Sequence, residues 1–143
     1  MSKSFSAAVG KWASETEDRM TAVYRRSVEM LGEEMTNTKP NGGRVPFDTG
    51  NLARSLLAST SEMPKTAQGP FEGSNVGAVT ATLKLTEAIW LGYQANYARR
   101  MNYGYVGADS LGRVYNQSGN YFVEGAVDKW PQIVEQAVSE IKG

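Results

Sequence analysis

Apolar positions at the start of the chain recur every three or four residues. Phe5, Val9, Trp12, Met20, Val23, Tyr24, Val28, Leu31 and Met35 fall on one stripe, with Ser27 among them. That spacing predicts a long amphipathic helix. Its other face carries Lys11, Glu15, Arg19, Arg25, Glu29 and Glu33, and Glu15 and Arg19 stand at ion-pairing distance along it. A charged face of this kind is ordinarily a solvated surface. Asn37, Pro40 and the Gly42-Gly43 pair predict its end. A helix of roughly thirty residues spans about 45–50 Å. A compact chain of this size has a diameter of about 40 Å. One end is therefore expected to overhang unless Gly10 or Gly32 interrupts it, and an overhanging apolar stripe needs a partner. Self-association is the expectation.

Pro, Gly and Asn dominate residues 38 to 47, which read as a loop. A short helix or turn is expected at 49–55 and a strand near 55–61. Pro64, Gly69, Pro70 and Gly73 mark 62–75 as a second loop. Val79, Ala81, Leu83 and Leu85 alternate with Thr80, Thr82 and Lys84, which predicts a strand. Ile89, Leu91 and Tyr93 predict another, with Trp90 on its opposite face. The short turn between these two suggests an antiparallel hairpin. A helical turn is expected around Tyr97–Met101, and a small hairpin or ordered loop over 104–119. The last helix runs over about 120–141 on Phe122, Ala126, Val127, Trp130, Val134, Ala137, Val138 and Ile141, with Pro131 kinking or restarting it. The sum is an α+β domain over 1–143: a long N-terminal helix, a small antiparallel β-sheet and a C-terminal helix packed on the sheet.

Composition narrows the chemistry. The chain has 143 residues, no cysteine and no histidine. Disulfides, thiolate nucleophiles, Ser-His-Asp triads and the usual zinc sites are thereby excluded, and no metal or cofactor is expected. Fifteen basic residues balance fifteen acidic ones, so bulk charge offers no footprint for a phosphate backbone. Paired arginines at 25–26 and 99–100 leave a small nucleic-acid-binding module as an alternative. No apolar run reaches membrane-spanning length, and a secretory leader is not expected.

Asp48-Thr49-Gly50 supports two incompatible readings. It matches the signature of aspartic proteases, in which carboxylates from two copies share a proton. Such a protease needs its aspartate between buried strands. Here Gly-Gly-Arg-Val-Pro-Phe precedes Asp48, and a helical-looking Asn51-Leu52-Ala53-Arg54 follows Gly50. The alternative is structural. Asp48 then caps a helix by accepting from the N–H of Gly50 or Asn51. Phe47 and Leu52 take the two positions of a hydrophobic staple, with Pro46 stiffening the entry.

The string Val45-Pro-Phe-Asp-Thr-Gly-Asn-Leu-Ala-Arg-Ser-Leu56 resembles a motif of the neck, or tail-completion, proteins of long-tailed double-stranded DNA bacteriophages. Later segments resemble the family too: Tyr97-Ala98-Arg99-Arg100-Met101-Asn102-Tyr103-Gly104 and Tyr121-Phe122-Val123-Glu124-Gly125-Ala126. One departure is Asn102, where the family often carries Glu. The resemblance implies a non-enzymatic virion protein at the head–tail junction, assembled in the host cytoplasm. It implies a ring of six subunits that meets the tail-tube protein and the head connector, with DNA passing through the lumen. Six of the seven tyrosines lie between Tyr93 and Tyr121. Tyr and Arg favour interfaces, which makes Tyr97, Arg99, Arg100, Tyr103, Tyr105 and Tyr115 candidate contact residues. Tyrosines also favour strands for local reasons.

Overall fold

The computed structural model describes residues 2–142 and is α+β. Helix α1 (Ser2–Thr36) runs unbroken through Gly10 and Gly32. A single 3-10 turn (Lys39–Asn41) follows, then α2 (Asn51–Arg54), β1 (Leu56–Ser59) and α3 (Val76–Thr80). Strand β2 (Trp90–Tyr93), α4 (Ala98–Tyr103), β3 (Gly104–Ala108) and β4 (Val114–Ser118) come next. Helices α5 (Phe122–Asp128) and α6 (Trp130–Lys142) close the chain. Pro131 lies in the first turn of α6, where its missing N–H costs least, so it restarts the helix rather than kinking it. No described helix is long and apolar enough to cross a membrane.

Two small antiparallel sheets replace the single expected one. In the first, β1 pairs with β2, with Leu56 opposite Tyr93 and Ser59 opposite Trp90. In the second, β3 pairs with β4, with Gly104 opposite Ser118 and Ala108 opposite Val114. The expected strand at 79–85 is absent, and with it the expected hairpin to 89–93. Residues 76–80 are helical instead. Val76, Thr80 and Leu83 are buried and Val79 half-buried, whereas Ala81 and Leu85 face solvent. The inward positions thus follow a helical step, not alternation.

Side chains supply what a ladder would have supplied there. Asn75 pairs with the backbone of Ala58 in both directions, accepting from its N–H at 2.7 Å and donating to its carbonyl at 3.1 Å. From α1, Arg25 donates to the Leu83 carbonyl at 2.7 Å and Tyr24 to the Glu87 carbonyl at 2.7 Å. Buried polar groups need such partners. Gly32 lets α1 and α3 approach closely, since a β-carbon there would lie 2.8 Å from Val76 Cγ1.

Two apolar clusters form the interior. One joins Val28 and Met35 of α1 to Leu56, Ala58, Val76, Leu83 and Ala126. The other gathers Val45, Leu52, Ala95, Ala98 and Phe122. Tyr93 packs against both, its ring edge-on to Phe122 at 5.2 Å. Both closing helices pack against α1, α6 along its length, and α5 also sets Phe122 against Tyr93 of β2. Arg26 of α1 ties to Glu140 of α6 at 2.8 Å and to Glu29 at 3.0 Å. Lys129 ties to Glu34 at 3.0 Å.

Candidate functional site

Residues 46–52 wrap a cavity of about 360 Å³ that Tyr97 and Met101 complete from the other side. Two segments nominated separately from the sequence therefore share one hollow. The joint is a hydrogen bond from Asn51 Nδ2 to the Tyr97 hydroxyl at 3.0 Å. Asn51 Oδ1 accepts from the Phe71 N–H at 3.0 Å, and Arg54 donates to the Phe71 carbonyl at 2.9 Å. Arg54 also reaches the Thr49 carbonyl at 3.1 Å. Asn51 and Arg54 thus hold together the motif, the 69–71 loop and Tyr97.

Asp48 does not cap α2. The helix starts two residues later than the capping reading needs, with Gly50 at the cap position and φ of 81°. Thr49 Oγ1 takes the Asn51 N–H at 3.4 Å. Asp48 is exposed and makes no hydrogen bond or ion pair among the described residues. The staple fails as well: Phe47 is 54% exposed while Leu52 is buried in the second cluster. The left-handed turn at Gly50 swings the chain so that Phe47 lies against Gly50 rather than in the core. A loop precedes Asp48 and α2 follows it, so strands do not flank it.

Helix α4 leads from the cavity to a protruding arm. Arg100 stacks its guanidinium over the Tyr105 ring at 4.1 Å, and Tyr105 lies 5.9 Å from Tyr115. On the other side Arg99 lies over Tyr103 at 5.8 Å, and Tyr103 meets Tyr121 edge-on at 6.5 Å. Contacts of this type are worth about 0.5–1.5 kcal/mol each. The arm itself is the β3–β4 hairpin. Its turn is fastened by Asp109, whose carboxylate accepts from Leu111 N–H, Arg113 N–H and the Tyr115 hydroxyl. Burial pushes that carboxylate up, but these donors and the Arg113 side chain outweigh it and hold it below its ordinary value. No arm residue belongs to either apolar cluster. Val106, Leu111 and Val114 are each at least three-quarters exposed.

Asn102 sits beneath this assembly and is buried. Its Nδ2 donates to both oxygens of Glu124, at 2.8 and 3.2 Å. Its Oδ1 accepts from the Val123 N–H at 3.1 Å, and its carbonyl accepts from the Tyr121 N–H at 2.9 Å. Asn102 therefore caps α5 from a distance and locks α4 to it. Where a Glu would have placed carboxylate against carboxylate, the amide satisfies Glu124. Burial raises Glu124, but the bonds from Asn102, its own N–H and Tyr103 prevail and hold it below the usual carboxylate range. The neighbouring Glu124 carboxylate pushes Tyr103 up in turn. Tyr121 adopts φ of 49°, a left-handed conformation that costs a non-glycine residue about 1–2 kcal/mol.

The structure also reports on the arginines that suggested nucleic acid. Arg25 is engaged with the Leu83 carbonyl, and Arg26 with Glu29, Glu33 and Glu140. Arg99 and Arg100 stack on tyrosines. Sequence reasoning missed Asn51, Arg54, Asn75 and the Asn102–Glu124 pair. Short polar residues at loop–helix junctions are signals that such bonds exist, but not signals of their distant partners.

Compared with models of known protein families, with curated proteins and with solved structures, the chain matches none.

Proposed function

We propose that the protein is a structural subunit of the head–tail junction of a long-tailed bacteriophage, and that it closes into a ring completing the tail and joining it to the head connector. The observation that carries this reading is the amount of ordered, apolar surface standing clear of the core. Phe5 and Trp12 on α1 are 75% and 67% exposed, and Val106, Leu111 and Val114 crown the hairpin arm. Surface of this kind on a single chain marks an interaction site. Two projections on one subunit suit a contact repeated around an axis, where a rotation that closes leaves no free end. The order of the motif segments is the second support, as all three resembling strings meet around α4 and α5.

The protease alternative draws less support. It asks for an aspartate between strands, and Asp48 stands between a loop and a helical turn. Deleting the gene from the parent virus tests the proposal. Tails of abnormal length point to a terminator, and normal tails separated from filled heads point to a joining protein. Intact infectious particles would overturn the assignment.

A further inference from the structure

We infer that helix α4 and the residues leading into it carry a contact site for the phosphodiester backbone of a nucleic acid, built on Asn96, Tyr97, Arg99 and Arg100. The bulk charge of the chain is balanced, so a site of this kind has to come from local arrangement. Other arginines are spent within the fold. Arg26 and Arg113 meet carboxylates, and Arg25 and Arg54 donate to backbone carbonyls. Arg99 and Arg100 are exposed, and neither pairs with a carboxylate among the described residues. The carboxylates of the neighbouring elements are engaged elsewhere, Glu124 by Asn102 and Asp109 by Arg113. What holds the two guanidinium groups is stacking on Tyr103 and Tyr105. Stacking fixes the plane of a guanidinium, leaves its charge unneutralised and keeps its N–H edge free for a phosphate oxygen.

Three donor groups line one hollow there. It measures about 270 Å³ and is walled by Asn96, Tyr97 and Arg100. The Tyr97 hydroxyl accepts from Asn51 Nδ2 at 3.0 Å, so its own proton is left to donate. A guanidinium, a phenol and an amide are side-chain groups that meet phosphates in nucleic-acid complexes. Among the described residues no carboxylate lines the hollow to repel one. Arg99 lies on the other side of α4, over Tyr103, so the positive charge is spread across the helix rather than gathered at one point. That spread suits a polymer of repeating phosphates better than a single small anion. The rings of Tyr103 and Tyr121 are 54% and 48% exposed, which offers unpaired bases a surface to stack on, a feature that an acidic peptide does not need. The site is complete within one chain and holds whether or not subunits close into a ring.

The test is fluorescence anisotropy of the full-length chain with a labelled oligothymidine and a labelled duplex of equal length, over salt from about 50 to 200 mM. The logarithm of the association constant should fall linearly with the logarithm of salt. Arg99→Gln and Arg100→Gln should each flatten that slope by about 0.7 on the single strand and about 0.9 on the duplex, the value of one phosphate contact. Arg19→Gln, an exposed position on α1, should leave it unchanged. Arg100→Lys should keep the slope that Arg100→Gln loses, which separates a missing charge from a loosened hairpin. Tyr97→Phe removes a neutral donor, so it should weaken binding about two- to tenfold at fixed salt and preserve the slope. Tighter binding of the single strand puts bases on the tyrosine rings, and equal binding of the duplex puts the contact on the backbone alone; both uphold the site. The inference fails if neither oligonucleotide binds saturably at the lowest salt, or if the double Arg99→Gln, Arg100→Gln chain keeps the wild-type slope. It fails equally if poly-glutamate of the same charge displaces the oligonucleotides, which would reassign the two arginines to an acidic protein surface.

Discussion

At position 50 an added β-carbon would lie 2.6 Å from Arg54 Nη1, on a backbone already turned to φ of 81°. Gly50→Ala should therefore cost about 1–2 kcal/mol or more, read from the urea midpoint. Asp48→Ala, which removes no bond, should stay within about 0.5 kcal/mol. The contrast reverses the expectation that Asp48 organises the motif. Asn102→Leu leaves the Glu124 carboxylate and the Val123 N–H without their partner and should cost about 2–3 kcal/mol. Glu124 also sets a pH dependence. Its folded pKa is depressed, so its contribution is complete above the unfolded value near 4.3 and is lost as pH falls through the folded one. Asp109 and Glu140 act in the same direction. The melting temperature should fall below about pH 4.5, and Glu124→Gln should flatten that acid limb. What was legible at this scale was the turn into a short helix that follows residues 46–50. The roles within it were not, because a side chain's distant partner depends on the tertiary fold.

Among the elements, α1 was the most legible, because its stripe is long and its stop signals agree. The overhang followed from arithmetic on length alone. The sequence over 104–119 fits a small hairpin or an ordered loop equally, and the Asp109 turn and the Tyr105–Tyr115 pair make it a hairpin. The strand expected at 79–85 failed for an instructive reason. Val76, Val79, Thr80 and Leu83 carry the helical step, and the alternation of Ala81 and Leu85 is coincidental because both face water. The pattern could be read either way, and burial beneath α1 at Gly32 decided it. The arm gives the prediction at this scale. Arg100→Ala removes the guanidinium stacked on Tyr105 and should loosen the hairpin, seen as faster amide exchange over 104–118. The core should keep its protection, since no arm residue lies in either apolar cluster.

Taken whole, the molecule keeps a modest interior and spends its remaining order outside it. About half of α1 and the β3–β4 hairpin lie outside both apolar clusters, and α4, with Arg100 stacked on Tyr105, joins the hairpin to the body. A single chain gains little from an ordered, exposed apolar helix, because each exposed ring forgoes its burial energy. A subunit that repeats around an axis recovers it from its neighbour. Class averages of the purified protein, imaged across a range of concentrations, test that idea most directly. They should show closed rings with rotational symmetry and a central opening. A discrete two-fold dimer with Asp48 of both copies facing one another, or a monomer at every concentration, would contradict it.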